Sequence, residues 1–408
     1  MKQTPSTLPN PLLFLRSPEA EAFLLKYRNL SEDALPNLAL SLSKQQVPHL
    51  AELITLLRLR KRAEEKFTRA QEMFFTADGL EQACSERVSR SIAQRFVERL
   101  PPKSTIVDLT VGLGGNAVFL AEHFPIRAVD MDPTHLQFAE WNAEAYGVEK
   151  NIRFIEGRSE DNVQDADAFL VDPQRIREGK TKTRSLKNSS PDILGMLPGL
   201  LEHTRGGCLK ISPAFDYAEI KELNAECEVE VISEKRTNKA ALVWFGSLMT
   251  CKRRATIMLK DGSSKAFTDI PGTPQPRFIP ARKFLFEPNN AINKAQLIPE
   301  LAQLYGLSKL SPLSTLLTAD ALIPDTEEIL RSFKVIAAKP FSHRALKETL
   351  SELKINRAEF LVRHFPEEPE AIRKKLKLKE GGAHTIIITP EAQGETHFFI
   401  TQNVASSV

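Results

Sequence analysis

The stretch "STIVDLTVGLGGNAVFLAEHF", Ser104–Phe124, passes from an apolar strand through an acid and a glycine loop into a helix. Ile106 and Val107 favour a strand, and Asp108 stands at its end. Gly112, Gly114 and Gly115 follow where the backbone must turn. Glycine lets backbone approach a ligand closely and tolerates positive φ. The amides at the start of the next helix then face whatever is bound. This order can cradle a dinucleotide, a nucleoside triphosphate or a methyl donor, or it can be a bare turn.

The neighbouring residues narrow the choice. No GxxxxGK[ST] occurs, which argues against a phosphate-cradling P-loop. Asp108 sits where dinucleotide folds keep an apolar residue, because the pyrophosphate approaches there. An acid at that place suits a cationic ligand, such as the amino group and sulfonium of S-adenosylmethionine. Asp130 ends the next strand, "IRAVDMD", about 20 residues on, where an acid can take two ribose hydroxyls. A nicotinamide-dependent oxidoreductase would share Asp130 but would not need Asp108.

Working outward, the first hundred residues read as helical. "HLAELITLLRLRKRAEEKF" has apolar residues at helical spacing, and "GLEQACSERVSRSIAQRFVERL" repeats the pattern up to Pro101-Pro102. Strand and helix then alternate. "PTHLQFAEWNAEAYG" is a helix with Pro133 at its start and Gly147 at its end, and "IRFIEG", "AFLVDP" and "GCLKISP" are short strands. Alternation of this kind predicts a mostly parallel sheet covered on both faces. "EVEVISEKR", "AALVWFG" and "ATIMLKDG" follow without helices, so the sheet is expected to finish with antiparallel strands. The proline-rich "DIPGTPQPRFIPARKF" marks a boundary, after which strands and helices suggest a split βαβ, ferredoxin-like module closed by a hairpin. The expected organisation is a helical region 1–100, an α/β domain 101–272 and an α+β domain 273–408.

Composition sets limits. The chain of 408 residues is long enough for two or three domains, and its formal net charge of +3 does not by itself require a nucleic-acid partner. Cys84, Cys208, Cys227 and Cys251 form no CxxC pair, which argues against a zinc site or a disulfide framework. No metal is expected, and His343, His364, His384 and His397 are spread apart. The N-terminus does not read as a signal peptide and no apolar run is long enough for a membrane helix, so a soluble cytoplasmic protein is expected.

"VDLTVGLGGNAVFLAEHFPIRAVDMDPTHLQFAEWNAEAYGV" resembles the class I methyltransferases, and within them the trimethylguanosine-synthase type of RNA guanine-N2 methyltransferase. The shared features are GxGGN, an acid–x–Asp–Pro, and an Asn-Ala-rich helix ending at "AYGV". "FFTADGLEQACSERVSRSIAQRF" resembles the segment before the fold in bacterial methyltransferases with a THUMP-like C-terminal domain. The resemblance spans most of the chain from Met73 on. It implies a Rossmann-like catalytic sheet with S-adenosylmethionine as donor, a helical N-terminal extension and a ferredoxin-like, THUMP-like C-terminal domain. It further implies that Asp108, Gly112, Gly114 and Gly115 surround the methionine part of the donor, with Asn116 holding the loop or the donor. Asp130 would bind ribose with Asp132 nearby. Relatives often carry Gly-Asp after the third strand; here "GRSEDN" leaves Glu160 or Asp161 to supply the acid toward adenine.

"AFLVDPQRIREGKTKTR" ends the fourth strand at Asp172. Open α/β sheets place their chemistry at such strand ends. Relatives that methylate exocyclic amines read Asp-Pro-Pro-aromatic here, the carboxylate and the Pro carbonyl accepting hydrogen bonds from the amine. This chain keeps Asp172 and Pro173 but continues with Gln174 and Arg175. Asp172 and Pro173 are therefore the candidate catalytic pair. Arg175, whose guanidinium can stack on a base or bind phosphate, is a candidate substrate contact. Lys210, in a K-x-S-P strand end, is either a second substrate contact or a cap.

"LRLRKR", "REGKTKTRSLK", "CKRRA" and "IRKKLKLK" are the dense basic runs. Each alone fits a solvated face. The second follows Asp172 directly, which favours a phosphate-bearing substrate. THUMP-type domains in relatives grip RNA, so the expected partner is tRNA or rRNA. The leading reading is a methyltransferase acting on an RNA base nitrogen, guanine N2 among the options. An RNA-binding protein with a silent methyltransferase fold, a methyltransferase with a non-RNA substrate and a nicotinamide enzyme are the competing readings.

Overall fold

Apolar residues at helical spacing build the helices that open the chain. The computed structural model describes residues 11–175, 186–324 and 327–404, with the side chain of Arg175 outside the described set. Helices α1 (Pro11–Phe14), α2 (Pro18–Tyr27), α3 (Leu35–Leu42) and α4 (Leu50–Ala63) come first. α4 buries Leu53, Ile54, Leu56, Leu57 and Leu59. The second long helix of the sequence pattern is two helices, α5 (Ala77–Gln82) and α6 (Glu86–Arg99). Ala83 and Ser85 are extended between them. Serine suits the extended position just before a helix better than a helix interior, and that preference divides the pattern.

Two units of contacts divide the chain: Met1–Cys227 with Leu242–Met249, and Glu228–Ala241 with Thr250–Val408. In the first, β1 (Ile106–Asp108), α7 (Ala117–Ala121), β2 (Ile126–Asp130), α8 (Pro133–Tyr146), β3 (Ile152–Glu156) and β4 (Ala168–Val171) alternate as the sequence predicts. A short ribbon, β5 (Gln174–Arg175) with β6 (Ser189–Ser190), precedes α9 (Ile193–His203), β7 (Gly206–Ile211) and α10 (Tyr217–Glu222). β1 pairs in parallel with β2 and β4, β2 with β3, and β4 with β7. The order is β7-β4-β1-β2-β3. β1 and β4 are buried along their whole length, as a sheet covered on both faces requires. The chain leaves β1 for β2 on one side and returns to β4 on the other. Their C-terminal ends therefore flank a topological switch point, where open sheets of this kind place ligands.

The second unit holds β8 (Glu228–Glu234), the first half of β9 (Thr237–Gly246), β10 (Arg253–Met258) and β11 (Ser264–Thr268). β10 pairs antiparallel with β11 but parallel with β8, so the expected antiparallel finish holds only in part. β9 supplies the return path that a parallel pair needs. A seven-stranded sheet follows, built from β12 (Phe284–Pro288), β13 (Ser308–Lys309), β14 (Leu317–Ala319), β15 (Leu330–Pro340), β16 (Glu359–Val362), β17 (His384–Pro390) and β18 (Thr396–Val404). Its order is β13-β14-β12-β15-β18-β17-β16. α11 (Asn290–Lys294), α12 (Ile298–Tyr305), α13 (His343–Glu352) and α14 (Pro369–Leu376) complete the unit. Alternation along the closing hairpin feeds two cores. Ile386, Ile388, Phe398 and Ile400 pack with Leu346 and Ile372, while Ile387 and Phe399 pack with Leu285 and Phe333. Among the described residues no helix is long and apolar enough to cross a membrane.

Candidate active site

A cleft of about 870 Å³ opens at the C-terminal ends of β1, β2 and β4, entirely within the first unit. Asp108, at the end of β1, is 3% exposed and is not itself among the lining residues, although Leu109 and Thr110 after it are. Burial raises its carboxyl to about 7; the Thr110 amide opposes this, while the charges of Asp172 and Asp130 add to it. A buried acid poised in this way gains most from a cation brought beside it.

The glycine loop has the conformation its composition predicts. Gly112 and Gly114 adopt φ of 51° and 80°. A Cβ on Gly114 would lie 3.3 Å from the Ala139 main chain, so the residue also lets α8 pack against the loop. Asp130 accepts from the Gly112 amide at 2.8 Å and from the Asp132 amide at 3.0 Å. Burial pushes the Asp130 carboxyl up, but His135 and those two amides outweigh it and hold it below the usual range. The same partnership raises the His135 imidazole. Asp132 lines the cleft from the N-cap of α8, where it accepts from the Thr134 amide at 2.8 Å. Asn116 lines it too, its side chain accepting from Ser89 of α6 at 2.9 Å. Of the two acids considered for adenine, Glu160 lines the cleft beside Arg158, whereas Asp161 is exposed and is not among the lining residues.

Asp172 stands one residue past β4, its amide donating to Thr110 Oγ1 at 2.7 Å. Its Oδ2 meets Lys210 Nζ at 2.5 Å. Gln174 and Ser190 form the rim; Pro173 does not line the cleft. The Arg175 side chain and the basic run at residues 177–184 lie outside the described residues, so the candidate substrate contact there has no geometry.

The far wall comes from residues the sequence reading did not single out. Thr76, Asp78, Gln82 and Cys84 face the cleft from α5 and the break after it. Lys66 fixes this wall from behind, donating to the carbonyls of Leu80 and Ala83 at 2.7 and 2.8 Å. Fully buried Asn142 of α8 joins the wall to the loop. It accepts from the Phe74 amide at 2.7 Å and donates to the carbonyls of Phe74 and Leu113 at 3.0 and 2.9 Å. His135 had a signal in the sequence, a histidine one turn into the helix after Asp132. The wall had only its resemblance to an upstream family segment.

Over 352 residues, 83% of this chain and 92% of the relative, the protein is 30% identical to an uncharacterized S-adenosylmethionine-dependent methyltransferase of Mycobacterium tuberculosis H37Rv. The chain belongs to the S-adenosylmethionine-dependent methyltransferases. The family described as RNA cap guanine-N2 methyltransferase matches residues 103–192 of this methyltransferase. A ferredoxin-like domain family matches 284–326, and a THUMP domain-like family matches 330–402. Trimethylguanosine synthase of Schizosaccharomyces pombe is 33% identical over 73 residues, 18% of this chain and 30% of that protein. The fold matches a crystal structure of a candidate methyltransferase from Porphyromonas gingivalis W83 with a TM-score of 0.76 and 21% identity, over 94% of this chain and 97% of that one. The methyl donor is S-adenosylmethionine.

Proposed function

We propose that this methyltransferase methylates a base nitrogen in RNA, tRNA or rRNA, with guanine N2 the favoured acceptor. The observation that carries the reading is a single cleft lined by both Asp130 and Asp172, with Asp108 buried close enough to feel the charge of each. The family matched by residues 103–192 and the THUMP domain-like match at 330–402 support an RNA substrate. Exposed Lys374, Lys377 and Lys379, which engage no acidic side chain among the described residues, suit contacts to an RNA backbone.

The donor suits the residues present. Asp108 would balance its cationic groups, the turn at Gly112 and Gly114 leaves space close to the main chain, and Asp130 would take the ribose. Bound there, the donor supplies an electrophilic methyl carbon on sulfur. Asp172 would accept an N–H of the acceptor, drawing its lone pair out of conjugation and aiming it at the donor's methyl group. After transfer the donor would leave as S-adenosylhomocysteine, and the surplus proton on nitrogen would pass to water. Orientation and fixed charge do the work, as the chemistry needs no covalent enzyme intermediate.

A non-RNA acceptor is the second reading. One observation favours it: no phenylalanine, tyrosine or tryptophan is among the described residues that line the cleft, so none of these offers a base an aromatic face to stack on. Labelled donor incubated with the full chain and cellular RNA, followed by nucleoside mass spectrometry, separates the two. A methylated nucleoside that disappears with Asp172→Ala supports RNA. Label recovered only outside the RNA fraction overturns it.

A further inference from the structure

We propose that Lys210 is a positioning residue, which locks one oxygen of Asp172 and leaves the other for the acceptor. The inference rests on the reading of Asp172 as the group that receives the acceptor amine.

The register of the sheet sets the pair up. Val171 of β4 lies opposite Leu209 of β7, so the next residue on each strand is Asp172 and Lys210. Lys210 belongs to a strand buried along its length and is itself only 9% exposed. A lysine so placed needs acceptors for its charge, and an ammonium has three protons to give. Three acceptors surround it: Asp172 Oδ2 at 2.5 Å, the Gln82 carbonyl at 3.4 Å and the Cys84 thiol within hydrogen-bonding reach. All three protons are spoken for, and none is left over for a substrate.

Asp172 is held twice, through its amide to Thr110 and through Oδ2 to Lys210. Oδ1 accepts nothing among the described residues, and the side chain is 35% exposed toward the cleft. Among the described residues one oxygen is thus anchored and one is free. An anchored carboxylate offers the acceptor nitrogen a single direction of approach, whereas an unanchored one could rotate and present either oxygen.

The charges around the ammonium come from several elements. Asp172 from β4 and Cys84 from the break after α5 touch it, and Asp108 at the end of β1 feels it. Lys66 acts on Cys84, and Asp130 on Asp108. Removing Lys210 would leave Asp172 and Asp108 without the cation that lies near both.

The test uses the full chain carrying 13C-carboxyl aspartate, with the Asp172 resonance assigned through Asp172→Asn. Lys210→Met is expected to shift that resonance at neutral pH, and Lys210→Arg to leave it near its wild-type position. Lys210→Gln gives the same readout if methionine is not tolerated. In kinetics, Lys210→Met is expected to lower kcat by about 10²-fold, with the acceptor KM and the affinity for S-adenosylhomocysteine unchanged. An unmoved resonance overturns the proposal. So does a raised acceptor KM with intact kcat, the signature of a lysine that contacts substrate. If the wild-type protein methylates no RNA, the proposed function fails, while the carboxyl resonance still decides whether Lys210 holds Asp172.

Discussion

The backbone amide of Gly112 donates to the Asp130 carboxylate across 2.8 Å, so the glycine turn and the acid of the next strand form one piece. Losing the carboxylate would remove the clamp on the turn and, on the proposed reading, the acceptor for the donor's ribose. Asp130→Ala is expected to weaken S-adenosylhomocysteine binding between about tenfold and a hundredfold, measured by calorimetry. A binding constant within experimental error of wild type would show that the acid only shapes the loop.

Asp108 gives a prediction about stability and binding in opposite directions. Its carboxyl sits near 7 when folded and near 3.8 when not, chiefly because of burial. A raised acid costs the empty protein stability as the pH climbs from the unfolded value to the folded one, and the cost is constant above that. Asp108→Asn is therefore expected to be more heat-stable than wild type, with a gap that opens between about pH 4 and pH 7 and then stays flat. Donor affinity of the wild type runs the other way and falls as the pH drops below about 7, because a cation needs the carboxylate. Thermal melts and calorimetry across pH check both slopes.

Lys66 gathers the carbonyls of Leu80, Glu81 and Ala83 at the end of α5. Lys66→Met leaves them without their cation. A loss of about 1–3 kcal/mol in stability is expected, together with faster amide exchange confined to residues 77–84 and weaker donor binding. Hydrogen exchange mass spectrometry reads the wall directly. Unchanged exchange there would assign Lys66 a surface role.

The strand ends were legible because the information is local. In a parallel strand the last apolar residue and the acid after it fall at the crevice whatever the rest of the chain does, and Asp108, Asp130 and Asp172 all follow that rule. The wall was not legible as part of the site. Thr76, Gln82 and Cys84 reach the cleft because Asn142, far along the chain, grips the Phe74 backbone, and no spacing announces such a contact. The break at Ser85 was hidden because a single serine does not interrupt a helical pattern of apolar residues. The parallel pairing of β8 and β10 was hidden because three strands in a row look alike whether the middle one lies between the others or beside them.

The chain enters the second unit at Glu228, leaves it at Leu242 and returns at Thr250, dividing β9 between the two. Heredity is constrained by that itinerary. A crossover between two genes at one position cannot separate the units cleanly: a joint before Glu228 carries residues 242–249 of the first unit along with the second, and a joint after Met249 carries residues 228–241 of the second along with the first. To trade the second unit alone for another would take three simultaneous joints, before Glu228, before Leu242 and before Thr250.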